Sequence, residues 1–281
     1  MSWQRCLPLL FCVSLAPGAA RALTAEPQHV MSLSMCTDEL LLELLPPERI
    51  ASLTYYVREP GNAHLWPQAA ALAVNHGTAE EVLAAKPDLV LAGTFTTPAT
   101  RRVLAGMHFA LLEVPPASSF PEIRAVTRSV AHALGREAAA DALIAKMDAT
   151  LRELEQSKPS RDIRVAAWGE GGAIPGKGTL FDAILTAAGG INIAASGDPG
   201  PYTSFDVEQL LLARPDVIAY ASSSIDTPGL NTDLALHPLI LKTYRGRRIT
   251  YPGALYSCGL VQSADAALAL RASLLQAMAA R

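Results

Sequence analysis

Ala79-Glu-Glu-Val-Leu-Ala-Ala-Lys-Pro-Asp-Leu-Val90 in the first half of the chain returns as Val207-Glu-Gln-Leu-Leu-Leu-Ala-Arg-Pro-Asp-Val-Ile218 in the second. Glu80 and Glu208, Leu83 and Leu211, Lys86 and Arg214, Pro87 and Pro215, and Asp88 and Asp216 stand at one constant offset. Each copy reads the same way. A helix stops ahead of a proline, whose ring disfavours helical backbone in the residue before it, and a strand begins at the aspartate. Such a turn recurs by chance in α/β chains, but five matches in one context favour two lobes of similar build.

The chain around both copies fits that reading. In the first half, His29–Ser34, Arg49–Thr54, Asp88–Gly93 and Phe109–Val114 read as strands, and Thr37 is placed to cap a helix over Asp38–Leu45. Helices are expected over Ala79–Ala85 and Thr97–Ala105, and another opens at Ser119-Phe-Pro-Glu122, a capping-box signature, and runs to Gly135. In the second half, Ile163–Trp168, Asp216–Ala221 and Arg248–Tyr251 read as strands. Helices there cover Leu180–Ala188, Phe205–Ala213, Leu239–Tyr244 and Ala264–Met278. Strands apolar on both faces that alternate with helices argue for parallel sheets covered on both sides.

Between the halves lies Arg136–Ser157, without an internal Gly or Pro and rich in strong helix formers. Leu143, Met147, Leu151 and Leu154 draw one apolar stripe down it, and Asp148 and Arg152 are spaced for a surface pair with the acid first. The division expected is a leader over 1–22, a first lobe over 23–135, a connecting helix over 136–158 and a second lobe over 159–281.

The leader reads as a secretory signal peptide: a short cationic start with Arg5, an apolar run from Cys6 to Ala16, and Ala20-Arg-Ala22 as a cleavage site. Phe11 ahead of Cys12 disfavours a lipid-attachment site. Cleavage near Ala22 removes Arg5 and Arg21 and no acid, so the formal charge of −3 becomes −5. A mildly acidic exported chain gives no support to nucleic-acid binding. Cleavage also leaves Cys36 and Cys258 as the remaining cysteines, an even pair in an oxidising compartment, which allows a disulfide without establishing one.

Catalytic signatures fall short. Gly171-Gly-Ala-Ile-Pro-Gly-Lys177-Gly178 approaches a phosphate-binding loop but has Gly178 where a Mg²⁺-binding hydroxyl must stand, with Thr179 one residue late. The loop suits the edge of a cleft better, with Lys177 near an anionic ligand group. The dinucleotide fingerprint fails at Ile174. His29, His64, His76, His108, His132 and His237 form no zinc-like spacing, and no nucleophile elbow is present. No motif calls for a resident cofactor, a catalytic residue or a protein-held metal. Aromatic residues remain: Tyr55, Tyr56 and Trp66 in loops of the first half, with Arg58 among them, and Trp168, Tyr202 and Tyr256 at strand ends or loops of the second. Ligands bind off the carboxyl ends of strands in open α/β sheets, so aromatics there from both lobes would wall a cleft for a bulky, partly planar ligand.

These features together resemble the periplasmic binding proteins of vitamin B12, iron-siderophore and haem ABC importers. Further points of likeness are Gly176-Lys-Gly-Thr-Leu180, Ala188-Gly-Gly-Ile-Asn-Ile193, His237-Pro-Leu239 and Tyr256-Ser-Cys-Gly259. The resemblance implies two Rossmann-like α/β lobes with parallel-rich sheets, joined by one long rigid helix. It implies a metal chelate bound between the lobes by a monomer that works with a membrane permease and its ATPase. Glu80 and Glu208 match the surface glutamates that dock on permease arginines. The loop Ser34-Met-Cys-Thr37 lacks the histidine of the free-metal branch, which points to a chelate rather than a bare ion. Alternatives are a bare-metal binder, a binder of another bulky small molecule, and an exported enzyme on the same scaffold. For Cys36 and Cys258 three arrangements stay open: a bridge across the cleft, a soft contact to a metal centre, or two separate buried thiols. Separate thiols are expected, because a bridge would lock the lobes.

Overall fold

The computed structural model describes residues 26–59, 66–168, 172–195, 200–221 and 236–279, with Trp66 described by its main chain alone. The expected signal peptide lies outside these residues. The first lobe contains β1 (Val30–Ser32), α1 (Met35–Leu44), β2 (Ile50–Thr54), α2 (Trp66–Ala69), β3 (Val74–Asn75), α3 (Ala79–Ala85), β4 (Leu89–Gly93), α4 (Pro98–Gly106), β5 (Leu111–Val114) and α5 (Phe120–Leu134). Its sheet has the order β3-β2-β1-β4-β5, with every pairing parallel. After α6 (Glu137–Gln156) the second lobe contains β6 (Ile163–Ala167), β7 (Ala173–Pro175), α7 (Leu180–Ala187), β8 (Gly190–Asn192), β9 (Tyr202–Ser204), α8 (Val207–Ala213) and β10 (Val217–Ala221). It continues through α9 (Pro238–Thr243), β11 (Arg248–Tyr251), α10 (Ala254–Ser257) and α11 (Ser263–Ala279). Its main sheet, β11-β10-β6-β8, is also parallel, and β7 and β9 form a separate antiparallel ribbon.

The repeated sequence performs the same structural task twice. Thr78 and Asp206 open α3 and α8 with full capping boxes, completed by Glu81 and Gln209. Lys86 and Arg214 then take left-handed backbone at φ 49° and 47°, which ends each helix and turns the chain into the proline. The aspartates tie each new strand to its parallel neighbour. Asp88 accepts from the His29 amide at 3.0 Å and donates its own amide to the His29 carbonyl at 3.0 Å. Asp216 accepts from the Arg164 amide at 3.0 Å and donates to the Arg164 carbonyl at 2.7 Å. The motif is therefore a clamp that sets the register of β4 on β1 and of β10 on β6.

The connecting helix is held by both lobes. Ala140, Ile144, Met147 and Leu154 are buried in one continuous apolar cluster that also contains Leu41 and Val130 of the first lobe and Ile184 and Leu274 of the second. Leu143 and Leu151 pack against the same cluster. Burying a side chain the size of Met147 or Leu154 contributes roughly 1.5–3 kcal/mol, so bending the lobes apart at this helix exposes costly surface. Arg271, from α11, is buried and closes the far end. Its guanidinium donates to the carbonyls of Ser157 (2.5 Å), Leu154 (2.9 Å) and Ala187 (3.1 Å) and also to that of Ala188, satisfying carbonyls at the ends of α6 and α7 together.

Three local expectations give way. Ser34, not Thr37, occupies the N-cap position of α1, because Thr37 turns inward and donates to the Ser34 carbonyl at 2.8 Å. Asp148 pairs across the helix interface with Arg124 of α5 at 2.5 Å rather than with Arg152 along its own helix. The Gly-rich stretch after β6 contains β7, a strand that pairs with a ribbon partner nearly thirty residues later and has no local periodicity to reveal it.

Candidate ligand-binding cleft

The carboxyl ends of the first sheet converge on one edge. Leu33 and Ser34 follow β1, Tyr55 and Tyr56 follow β2, His76 and Gly77 follow β3, and Phe95, Thr96 and Thr97 follow β4. With Met35, Cys36, Thr54 and Ser257 they enclose a cavity of about 550 Å³. A second cavity of about 310 Å³ adjoins it, sharing Ser34, Cys36, Phe95 and Ser257. This one lies between the lobes. Val114–Ser118 of the first lobe form one side, and Gly178–Leu180, Tyr202 and Tyr256–Leu260 of the second form the other.

The floor is rigid because it is built from satisfied buried polar groups. Thr96 Oγ1 donates to the Leu33 carbonyl at 3.0 Å, and Asn75 Nδ2 donates to the carbonyls of Ser32 (3.0 Å) and Leu53 (2.9 Å). Beneath Thr54 lies Asp38, fully buried, accepting from the Thr54 amide at 3.0 Å and from the Thr54 hydroxyl. Burial pushes the Asp38 carboxyl up to about 7 against the opposing pull of the hydrogen bonds from Ser32 and Thr54. At the rim, Glu81 holds His76 by its amide (2.9 Å) and its Nδ1 (3.1 Å). Burial works against the Glu81 charge, but hydrogen bonds from Thr78 and His76 outweigh it and keep that carboxyl down at about 2.

The aromatic side chains divide. Tyr55 and Tyr56 lie in the wall, their ring centroids 3.9 Å apart, and Tyr55 stacks on His76 at 5.1 Å. A hydrogen bond to Tyr56 and burial push the Tyr55 phenol up to about 12, so it is a neutral hydroxyl at physiological pH. Tyr256 also lines the cleft, backed by Tyr251 at 4.4 Å, and burial raises both phenols. Tyr202 projects from the ribbon, 70% exposed. Trp168 does not reach the cleft. It is fully buried in a separate core cluster of the second lobe with Ile174, Leu210 and Tyr220, because β6 carries it inward past the end of the sheet. The Trp66 side chain lies outside the described residues.

Neither expected cation lines either of these two cavities. Arg58 is exposed and its guanidinium is tied to the Leu72 carbonyl. Lys177 is exposed beside the lining residue Gly178, and the groups an anion would use there are taken: Asp182 accepts from the Gly178 amide at 3.2 Å, and Thr179 caps α7. Sequence reasoning also missed Phe95, the most exposed large apolar side chain among the described residues at 90%. A Gly-Thr-Phe-Thr-Thr run after an apolar strand was the available signal.

Cys36 and Cys258 are bonded to each other, against the expectation of separate thiols. Cys36 sits in the first turn of α1 and Cys258 just after α10, and the lobes already meet at this point. A Cβ on Gly259 would stand 2.0 Å from the Ala117 carbonyl oxygen, so only glycine allows the second lobe to approach the first so closely. The bridge thus crosses a contact that the packing has already made, at the base of the cleft. Glu80 and Glu208 occupy equivalent exposed positions, each the second residue of its capped helix.

A search of curated protein sequences finds no significant match. Among solved structures the chain is similar to the vitamin B12 binding protein BtuF of Vibrio cholerae, with 19% identity, TM-score 0.68, and coverage of 90% of this chain and 98% of that one. It is similar to the periplasmic heme-binding protein RhuT of Roseiflexus sp. RS-1, with 20% identity, TM-score 0.73, and coverage of 90% and 99%. It is also similar to an ABC-type Fe³⁺-hydroxamate transport system protein of Saccharomonospora viridis, with 16% identity, TM-score 0.67, and coverage of 88% and 93%. These likenesses establish the two-lobed fold. The family model described as periplasmic binding protein matches residues 30–253, most of the chain, and the protein belongs to that family.

Proposed function

We propose that this protein is the periplasmic substrate-binding component of an ABC importer, taking a metal chelate (a ferric siderophore, a corrinoid or a haem-like ligand) into the cleft and delivering it to the permease and its ATPase. The observation that carries this reading is the cleft itself: two adjoining cavities at the strand ends, with Tyr55, Tyr56 and Phe95 from one lobe and Tyr202 and Tyr256 from the other. Ring faces from both sides give a large ligand apolar contact without long flexible side chains to immobilise. Similar structures are named for vitamin B12, heme and an Fe³⁺-hydroxamate, each a bulky metal chelate. Glu80 and Glu208 serve as the permease contacts, one per lobe. The protein acts as a monomer, exported behind the signal peptide cleaved near Ala22, with lobes 23–135 and 159–281 joined by the helix over 136–158.

Native mass spectrometry of the protein taken from its own periplasm tests the ligand directly, because a retained chelate adds its own mass. Titration of the purified mature protein with haem, cobalamin and several siderophores completes the test. Absence of binding across the whole panel overturns the ligand class.

A further inference from the structure

The wall of the cleft has a property that the identity of the fold does not supply. Among the described residues, neither cavity is lined by Lys, Arg, Asp or Glu. Its polar groups are hydroxyls, such as those of Ser34, Thr97 and Ser257, each already hydrogen-bonded within the protein to Thr37, Thr100 and the Gly253 carbonyl respectively, together with backbone and the phenols. Among the described residues His76 is the one lining imidazole, and the Glu81 carboxylate lies 3.1 Å from its Nδ1. Of the nearby cations, Arg58 is bonded to the Leu72 carbonyl and Lys177 is exposed outside both linings.

A ligand anion enclosed by such a wall loses water without gaining a counter-charge, which is strongly unfavourable. A neutral amide or hydroxamate loses far less on leaving water than an anion does, and regains hydrogen bonds at the lone pairs of these hydroxyls and at the phenols. The two most exposed rings of the wall, Phe95 and Tyr202, stand on opposite lobes and line the same interlobe cavity, so they can cover the two sides of a bulky body.

We infer that the cleft selects a ligand whose enclosed face carries no net charge, a bulky chelate or macrocycle rimmed by neutral hydrogen-bonding groups, over anionic chelates and dicarboxylate-bearing macrocycles. This inference rests on the reading of the protein as a cleft-binding solute carrier, and the following experiment separates the two.

Isothermal titration of the mature, disulfide-bonded protein uses four probes: a neutral ferric trihydroxamate, cyanocobalamin, an anionic ferric tris-catecholate, and haem with its two carboxylates. At least one neutral probe is expected to bind about 100-fold more tightly than either anionic one, with an affinity insensitive to salt. Tighter binding of an anionic probe, weakening with salt, overturns the charge selection and leaves the solute-carrier reading in place. No binding by any probe overturns both. Tyr202→Arg, at an exposed position that the core does not use, is expected to raise the affinity for an anionic probe roughly tenfold. An unchanged affinity in a variant with wild-type thermal stability overturns the assignment of selectivity to the charge of the wall.

Discussion

Cys36 of the first lobe and Cys258 of the second are covalently joined at the base of the cleft, their Cα atoms 5.3 Å apart across 222 residues of sequence. With the connecting helix, this gives the lobes two tethers, and relative motion must respect both. In the chain-entropy account a bridge closing so long a loop contributes about 5 kcal/mol, as an upper bound. The double variant Cys36→Ser with Cys258→Ser is expected to unfold at lower denaturant and release ligand faster. Paired denaturation and off-rate measurements check this; coincident values for both proteins would remove the bridge from the mechanics.

Gly259 carries a sharper packing prediction. Its missing Cβ leaves room for the Ala117 carbonyl, with a clash distance of 2.0 Å against backbone that cannot rotate away. Gly259→Ala should cost about 1–3 kcal/mol in overpacking and separate the lobes locally. Thermal denaturation reads the cost, and small-angle scattering reads the separation.

Asp38 gives a pH dependence of known sign. Its folded-state value of about 7 lies above the ordinary 3.8, so the folded protein holds the proton more tightly than the unfolded chain does. Stability from this group is fully present below about 4 and is lost as pH rises to about 7, on the order of 4 kcal/mol at most. Asp38→Asn, which cannot ionise, should flatten the stability profile over that window while retaining an acceptor for the Thr54 amide. Urea denaturation of both proteins at pH 4.5 and 7.5 decides it. Parallel profiles would mean that Asp38 ionises normally.

Arg271 tests the join between the connecting helix and the second lobe. Arg271→Met keeps the apolar length of the side chain but strips four carbonyls of their donor. A loss on the order of 3 kcal/mol is expected. Hydrogen exchange should locate the loosening at the last turns of α6 and α7, and protection unchanged there would contradict the capping role.

Glu80 and Glu208 are exposed and sit in the first turns of capped helices. Replacing both with Ala should leave ligand affinity unchanged and reduce permease-dependent uptake at least about tenfold. A loss of ligand affinity instead would place these carboxylates in the site.

The sequence by itself determined the architecture, because the signals behind it are local. A proline bars helical backbone in its own neighbour, a capping residue meets an amide three positions on, and an apolar stripe shows at helical spacing in Leu143, Met147 and Leu154. That is why α3, α8 and the connecting helix stand within a residue or two of where the sequence puts them. β7 and β9 escaped, since two three-residue strands that pair only with each other carry no periodicity. The cleft was legible as a region, through tyrosines placed just after strands, but not as a list of side chains. Tertiary structure alone decided that Trp168 turns into the core while Phe95 stands in the cavity, since burial is set by which neighbours a strand end meets. It alone decided that Asp148 turns to Arg124 rather than Arg152, and that Cys36 meets Cys258. Those contacts depend on distances between whole elements, within a lobe or across the two, which exist only once the apolar faces of the connecting helix, α5 and α11 have packed into one core.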